Sequence, residues 1–168
     1  MENLNTCNYE ITFSNFLVAT SYQYLSMWSY FDRSSVGLKK IADFFKKSSD
    51  EEREHAMKLI EYQNKRGGKV SFADISSPSL DYLATEDSND VLLSFVKSIE
   101  MEQTVYQHLL KVHKTGEENN DPQFTDFIEG EFLEEQIDAI NELTKYVSQL
   151  KRIGNDGHGL WNFNNHFE

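Results

Sequence analysis

Proline, cysteine and basic residues are all scarce in this chain. Its 168 residues include two prolines, Pro78 and Pro122, and a single cysteine, Cys7. A lone cysteine excludes an intrachain disulfide, and with it a small scaffold held by crosslinks. It suits a reducing compartment, and the expected location is the cytosol. Apolar runs are short: none approaches the roughly 18 residues of a membrane-spanning helix. Residues 1–6 have neither a basic start nor an apolar stretch, so no secretory signal is expected there. Lys and Arg number 16 against 28 Asp and Glu, giving a formal net charge of −12. That balance argues against nucleic acid, whose phosphates need clustered cations. It favours cations as ligands, although acidity also serves plain solubility.

What is present is a globular composition, 39% hydrophobic and 26% charged, in a length suited to one domain over residues 1–168. The few breaks, at Gly37, Gly67-Gly68, Gly116, Pro122 and residues 154–159, leave four long segments free of proline. Helices are expected over about 9–31, 35–66, 88–115 and 122–153, with a short fifth over about 159–166. Ser34 or Ser35 is the candidate cap of the second, Gly67-Gly68 its terminator, and Asp121-Pro122 the start of the fourth. Steps of three and four mark a seam on each: Phe13, Leu17, Thr20, Tyr24, Met27 and Phe31 on the first, and Leu38, Ile41, Phe45, Ser48, Glu52, His55, Leu59 and Tyr62 on the second. The third carries Leu92, Phe95, Ile99, Glu102, Tyr106 and Leu109, and the fourth Phe132, Gln136, Ala139, Leu143 and Tyr146. Each set is the inward seam of a packed helix.

Short links join the first pair of helices and the last pair, which makes each pair antiparallel. The link after Gly67 is longer. A helix of about 28 residues is about 42 Å long, and an extended link of about 20 residues reaches roughly 65 Å. The second and third helices can therefore run parallel, with one long crossover between them.

Polar residues interrupt three of these seams in mid-core: Glu52 with His55, Glu102, and Gln136. Glu52 and His55, three apart, share a helix face. A buried carboxylate is costly unless paired, protonated or bound to a cation, and the seams carry no Lys or Arg. Oxygen donors with one imidazole suit iron or a similar divalent ion, and Tyr24 is placed to hydrogen-bond one of the carboxylates. Alone, an E-x-x-H pair is more often a solvated helix face, and a seam Gln or Tyr a satisfied core residue. Their coincidence on three seams is what points to a metal site.

The stretch TSYQYLSMWSYFDR at residues 20–33 resembles the first helix of animal ferritins. EEREHA at 51–56 and NKRGG at 64–68 resemble the second, and Asp121-Pro122, DFIE at 126–129 and FLEEQ at 132–136 the fourth. The resemblance implies an all-α, ferritin-like four-helix bundle with one long crossover and a short C-terminal fifth helix. It implies an iron-storage subunit that takes up Fe(II) and holds it as ferric mineral. It also implies a shell of ~24 subunits, built from this chain alone or co-assembled with an active ferritin chain.

By the same resemblance Glu52 would bridge two irons, His55 would bind the first and Glu102 the second, with Gln136 and Tyr24 close by. Glu51 and Glu54 would hold early mineral at the cavity, although Met57 stands where a further carboxylate is expected. Asp126 and Glu129 would line the threefold channels. The family's first helix supplies a glutamate two turns before the tyrosine, and here that position is Leu17. Residues 11–31 contain no Asp or Glu that a register shift could substitute. The expectation is a storage subunit of weak ferroxidase activity. The rival expectations are a working ferroxidase completed by water or another ligand, and a cage with little role in iron. The crossover around residues 84–90 is longer than the family's, and the tail at 159–168 is Asn-rich where the family's is more apolar.

Overall fold

In the computed structural model, which describes residues 4–83 and 89–167 and side chains from Phe13 onward, the seams form the interior of a bundle. The elements are α1 (Leu4–Phe31), α2 (Lys39–Lys65), α3 (Asp90–Glu118), α4 (Pro122–Ile128), a π-helical segment (Glu129–Leu133), α5 (Glu134–Ile153) and α6 (Gly157–His166). Among the described residues no helix is long and apolar enough to cross a membrane.

Side-chain pairs give the direction of each helix. Going up α1 from Ser21 to Phe31, the partners on α2 descend from Ser49 to Phe45. Along α1 and α3, Phe16 meets His108 and Tyr30 meets Asp90. On the other side, Phe44 meets Tyr146 and His55 meets Glu135, joining α2 to α5. Each of these pairs is antiparallel, so α2 and α3 run parallel, and the chain between them must return along the bundle. This is the expected connectivity.

Two amides hold that crossover against α1. Asn15 donates to the Ser71 carbonyl and accepts from the Ala73 N–H. Gln23, two turns later, does the same for the carbonyl and N–H of Ser79. Buried Tyr82 then meets Ser26 at 2.9 Å. Four backbone groups of the crossover are thus satisfied by side chains of α1 rather than by secondary structure. The extra crossover length expected at residues 84–90 falls mainly on 84–88, outside the described residues.

Three expected boundaries change. The first helix starts at Leu4, before the apolar seam begins. The second does not start at a serine cap: residues 32–37 form a turn in which the Arg33 carbonyl accepts from Val36 and Gly37, and Gly37 takes φ +69°. The α2 N-terminus is capped from a distance, since the Ile41 N–H donates to Asn164 of α6 at 3.3 Å. The third helix runs through Gly116, which marks a close approach: a Cβ there would lie 2.9 Å from both Phe124 and Thr125. Its end comes at Asn120, at φ +54°, where the Asp121 N–H bonds the Gly116 carbonyl.

The fourth segment contains the π-helical turn, which was not foreseen. Phe124, Ile128, Phe132 and Gln136 follow at successive steps of four and are all buried. On an ideal α-helix each such step drifts by about 40°. The wider π turn absorbs the drift and keeps all four facing the core.

Helix α6 closes one end of the bundle. Phe163 and Phe167 pack on Phe95 and Tyr146, and Lys40 donates to the Phe167 carbonyl. Replacing Asn164 with Ala removes the cap of α2 and leaves a buried amide unpaired. A loss of about 0.5–2 kcal/mol is expected in denaturant unfolding. Asn165→Ala, on the exposed side of the same helix, should stay within about 0.5 kcal/mol of the parent.

Candidate metal centre

The register of the four long helices brings the polar seam residues together midway along the bundle. Tyr24 from α1, Glu52 and His55 from α2, Glu102 from α3 and Gln136 from α5 line one cavity of about 80 Å³. It opens between α2 and α5, where Glu51, Glu135 and Glu142 line it together with Ser48. No Lys or Arg is among the lining residues. Glu52 is 4% exposed, Glu102 6% and Gln136 5%.

Glu102 is fully engaged. The Tyr24 hydroxyl donates to its Oε1, and the Gln136 side-chain amide donates to its Oε2 and, at 3.1 Å, to its backbone carbonyl. Glu52 is not: its Oε1 lies 3.6 Å from His55 Nδ1, while its buried Oε2 has no hydrogen-bond partner. The His55 ring stands edge-on against Phe132, on the π-helical segment, and its Nε2 lies 3.3 Å from Glu135 Oε2. Among the described residues no three His, Cys, Asp or Glu side chains are arranged to hold a metal ion.

Burial dominates the electrostatics. It pushes the Glu102 carboxyl up to about 7, aided by the neighbouring charge of Glu52 and opposed by the bonds from Tyr24 and Gln136. Burial likewise raises Glu52, against the pull of His55. For His55, burial favours the neutral ring, but the bond and charge of Glu52, then the charge of Glu135, outweigh it and raise its pKa. Tyr24 is held well above the ordinary tyrosine range by burial and by Glu102.

Leu17 is not among the residues that line the cavity. It is 1% exposed and belongs to an apolar cluster with Phe13, Ala56, Leu59, Val105 and Leu109. Of the other expected residues, Glu51 reaches the cavity mouth and pairs with Lys47, whereas exposed Glu54 lies further along α2. Asp126 and Glu129 lie away from the cavity, towards the far end of the bundle, with Asp126 exposed and Glu129 Oε1 2.6 Å from His113 Nε2. Glu135 was missed, although Glu135, Ala139 and Glu142 recur at steps of four and three beside the Gln136 seam.

A family profile described as a ferritin-like domain matches residues 14–153. The chain is 52% identical to Ferritin-2, chloroplastic, of Zea mays over 85% of its own length and 56% of that relative. It is 50% identical to Ferritin-3, chloroplastic, of Glycine max over 85% of its length and 55% of the relative. With Ferritin-4, chloroplastic, of Arabidopsis thaliana it shares 49% over 86% of its length and 55% of the relative. This chain belongs to the ferritin family. It spans a little over half the length of these curated relatives.

The family match agrees with the four-helix bundle and its short C-terminal helix. It also corrects one expectation. These ferritins are plant proteins named chloroplastic, which points to a plastid and overturns the cytosolic assignment. The physical reason is that a single unpaired cysteine indicates a reducing compartment without choosing among several.

The raised carboxyl of Glu102 gives a pH dependence. Its folded value of about 7 exceeds the ordinary 4.5, so the folded state holds the proton more tightly. The stabilisation is complete below about 4.5 and is lost as pH rises through about 7. Glu52 and His55, both raised, act in the same sense. The denaturation midpoint of metal-free protein should fall across this window, and Glu102→Gln should flatten the fall; an unchanged slope would reject the assignment.

Proposed function

We propose that the chain is a subunit of an iron-storage shell that takes up Fe(II) and retains it as ferric mineral, with slow iron oxidation of its own. Iron is the substrate and cargo, and O2 the oxidant. The observation that carries the reading is Leu17. The position that supplies a carboxylate in the resemblance holds a leucine packed in an apolar cluster and contributes no donor to the cavity lining. Hard oxygen donors favour the more highly charged Fe(III), so loss of one lowers the driving force for oxidation as well as the affinity.

Two further observations support the reading. The donors that remain, Glu52, His55, Glu102 and Gln136 with Tyr24, still meet at one cavity. Glu102 is held by Tyr24 and Gln136, so binding iron there requires that network to open. In this account Glu51 and Glu54 hold early mineral on the inner surface of the shell. Asp126 and Glu129 line the channels that draw Fe(II) inward by charge. The shell has ~24 subunits, of this chain alone or mixed with a chain of higher activity.

The test is aerobic Fe(II) oxidation by the assembled protein at about two irons per subunit, a dinuclear loading, compared with Leu17→Glu. The substitution should speed oxidation several-fold over a slow parent. A parent that already oxidises iron within seconds, with no gain from Leu17→Glu, would make the chain a working ferroxidase whose centre is completed by water or another ligand.

A further inference from the structure

Tyr30 and Tyr146 are not among the residues that line the cavity, and each donates its hydroxyl to a carboxylate at the distance of a charge-assisted bond. Tyr30 meets Asp90 Oδ2 at 2.7 Å, and Tyr146 meets Glu142 Oε1 at 2.6 Å. The two pairs differ in their surroundings. Asp90 does not line the cavity, whereas Glu142 stands at its mouth. Phe44 also lines the cavity, and its ring stands edge-on to Tyr146 at 6.1 Å. A second path starts deeper: the rings of Tyr24, Phe45, Phe95 and Tyr146 follow at centroid separations of 6.2, 5.3 and 5.6 Å. Tyr146 is thus joined to the cavity twice, by packed aromatic rings for an electron and by a carboxylate for a proton.

Tyr146 also reaches the surface. It is half-buried and lines an open cleft of about 400 Å³ between α5 and α6, with Gln149, Asn162 and His166. Glu142 is exposed, so a proton passed to it can leave. Tyr24 lacks that outlet, since its partner Glu102 is buried and bonded at both oxygens. Oxidation makes a phenolic proton strongly acidic, so a tyrosine gives up an electron readily only where a base takes the proton with it.

We infer that Tyr146 is a one-electron relay, which carries oxidising equivalents out of the cavity as a neutral tyrosyl radical while Glu142 takes the phenolic proton. The inference rests on the storage reading for its oxidant alone. Reduction of O2 by two Fe(II) yields hydrogen peroxide, and a further Fe(II) cleaves it to Fe(III), hydroxide and a hydroxyl-radical equivalent. That equivalent takes one electron from Tyr146 and becomes hydroxide. The phenolic O–H bond breaks, and an O–H bond forms at Glu142 Oε1. Glu142 then returns the proton to hydroxide as water, leaving Tyr146 one electron and one proton short. The oxidising equivalent has moved from a core that contains Tyr24 and His55 to a side chain at a surface cleft.

For the test, the assembled protein is loaded with Fe(II) under argon, mixed with hydrogen peroxide and freeze-quenched for electron paramagnetic resonance. A tyrosyl signal is expected, narrowed when the tyrosine rings are deuterated. Tyr146→Phe, which keeps the ring contacts, should lower it several-fold. Glu142→Gln should lower it as well, because an amide does not take the proton, while Tyr30→Phe should leave it unchanged. Absence of a tyrosyl signal, a signal that survives Tyr146→Phe or is unchanged in Glu142→Gln, or one lost in Tyr30→Phe would overturn the inference. Peroxide is supplied and O2 excluded, so failure of the storage reading would appear instead in the aerobic Fe(II) oxidation assay.

Discussion

Two carboxylates, Glu52 and Glu102, sit at the centre of a helical bundle with no Lys or Arg among the residues that line their cavity. An ionised carboxylate in such surroundings is costly by several kcal/mol unless something compensates it. The rest of the centre can be read as partial compensation. Tyr24 and Gln136 donate to both oxygens of Glu102, and His55 leans towards Glu52. The remainder is carried by protonation, which is why the Glu102 carboxyl stands near 7, and by one oxygen of Glu52 that nothing satisfies. On the proposed function, a divalent cation is what would relieve the rest.

That centre depends on helix register, and register here is held by polar contacts at the periphery. Asn15 and Gln23 tie the crossover to α1 at two points, which lets α2 and α3 run parallel and place Glu52 opposite Glu102. Asn164 closes the exposed start of α2 from the other end of the chain. Asn89 caps α3 through Leu92 and also holds the Gly154 carbonyl beyond α5. Asn164 of the Asn-rich tail thus has a structural role inside its own subunit. The π turn contributes directly, since it carries Phe132, which backs the His55 ring.

Much of this was legible in the sequence because helical periodicity is local. Steps of three and four marked the seams, and the polar residues interrupting them marked the centre. What was not legible depends on contacts between distant segments. Ser34 and Ser35 resemble a helix cap, but the cap comes from Asn164, more than a hundred residues away. Gly116 reads as a stop signal and is instead a place where Phe124 and Thr125 press on α3. The π turn had a signal, three successive steps of four from Phe124 to Gln136, which an ideal α-helix cannot keep on one face. Glu135 was hidden beside a more conspicuous neighbour, and only the groove between α2 and α5 brings it to His55. The compartment could not be read from cysteine usage at all.

The central claim is that the buried carboxylates are incomplete without a cation. It is tested most directly by thermal unfolding of the metal-free shell at neutral pH, with and without Zn(II), in the parent and in Glu52→Gln/Glu102→Gln. A cation that binds the folded state at about a hundred times its Kd stabilises by about 2.7 kcal/mol, so the parent midpoint should rise by several degrees. The double variant, already relieved of both charges, should show little or none of that rise. An equal rise in both proteins would place the bound cation elsewhere and contradict the account.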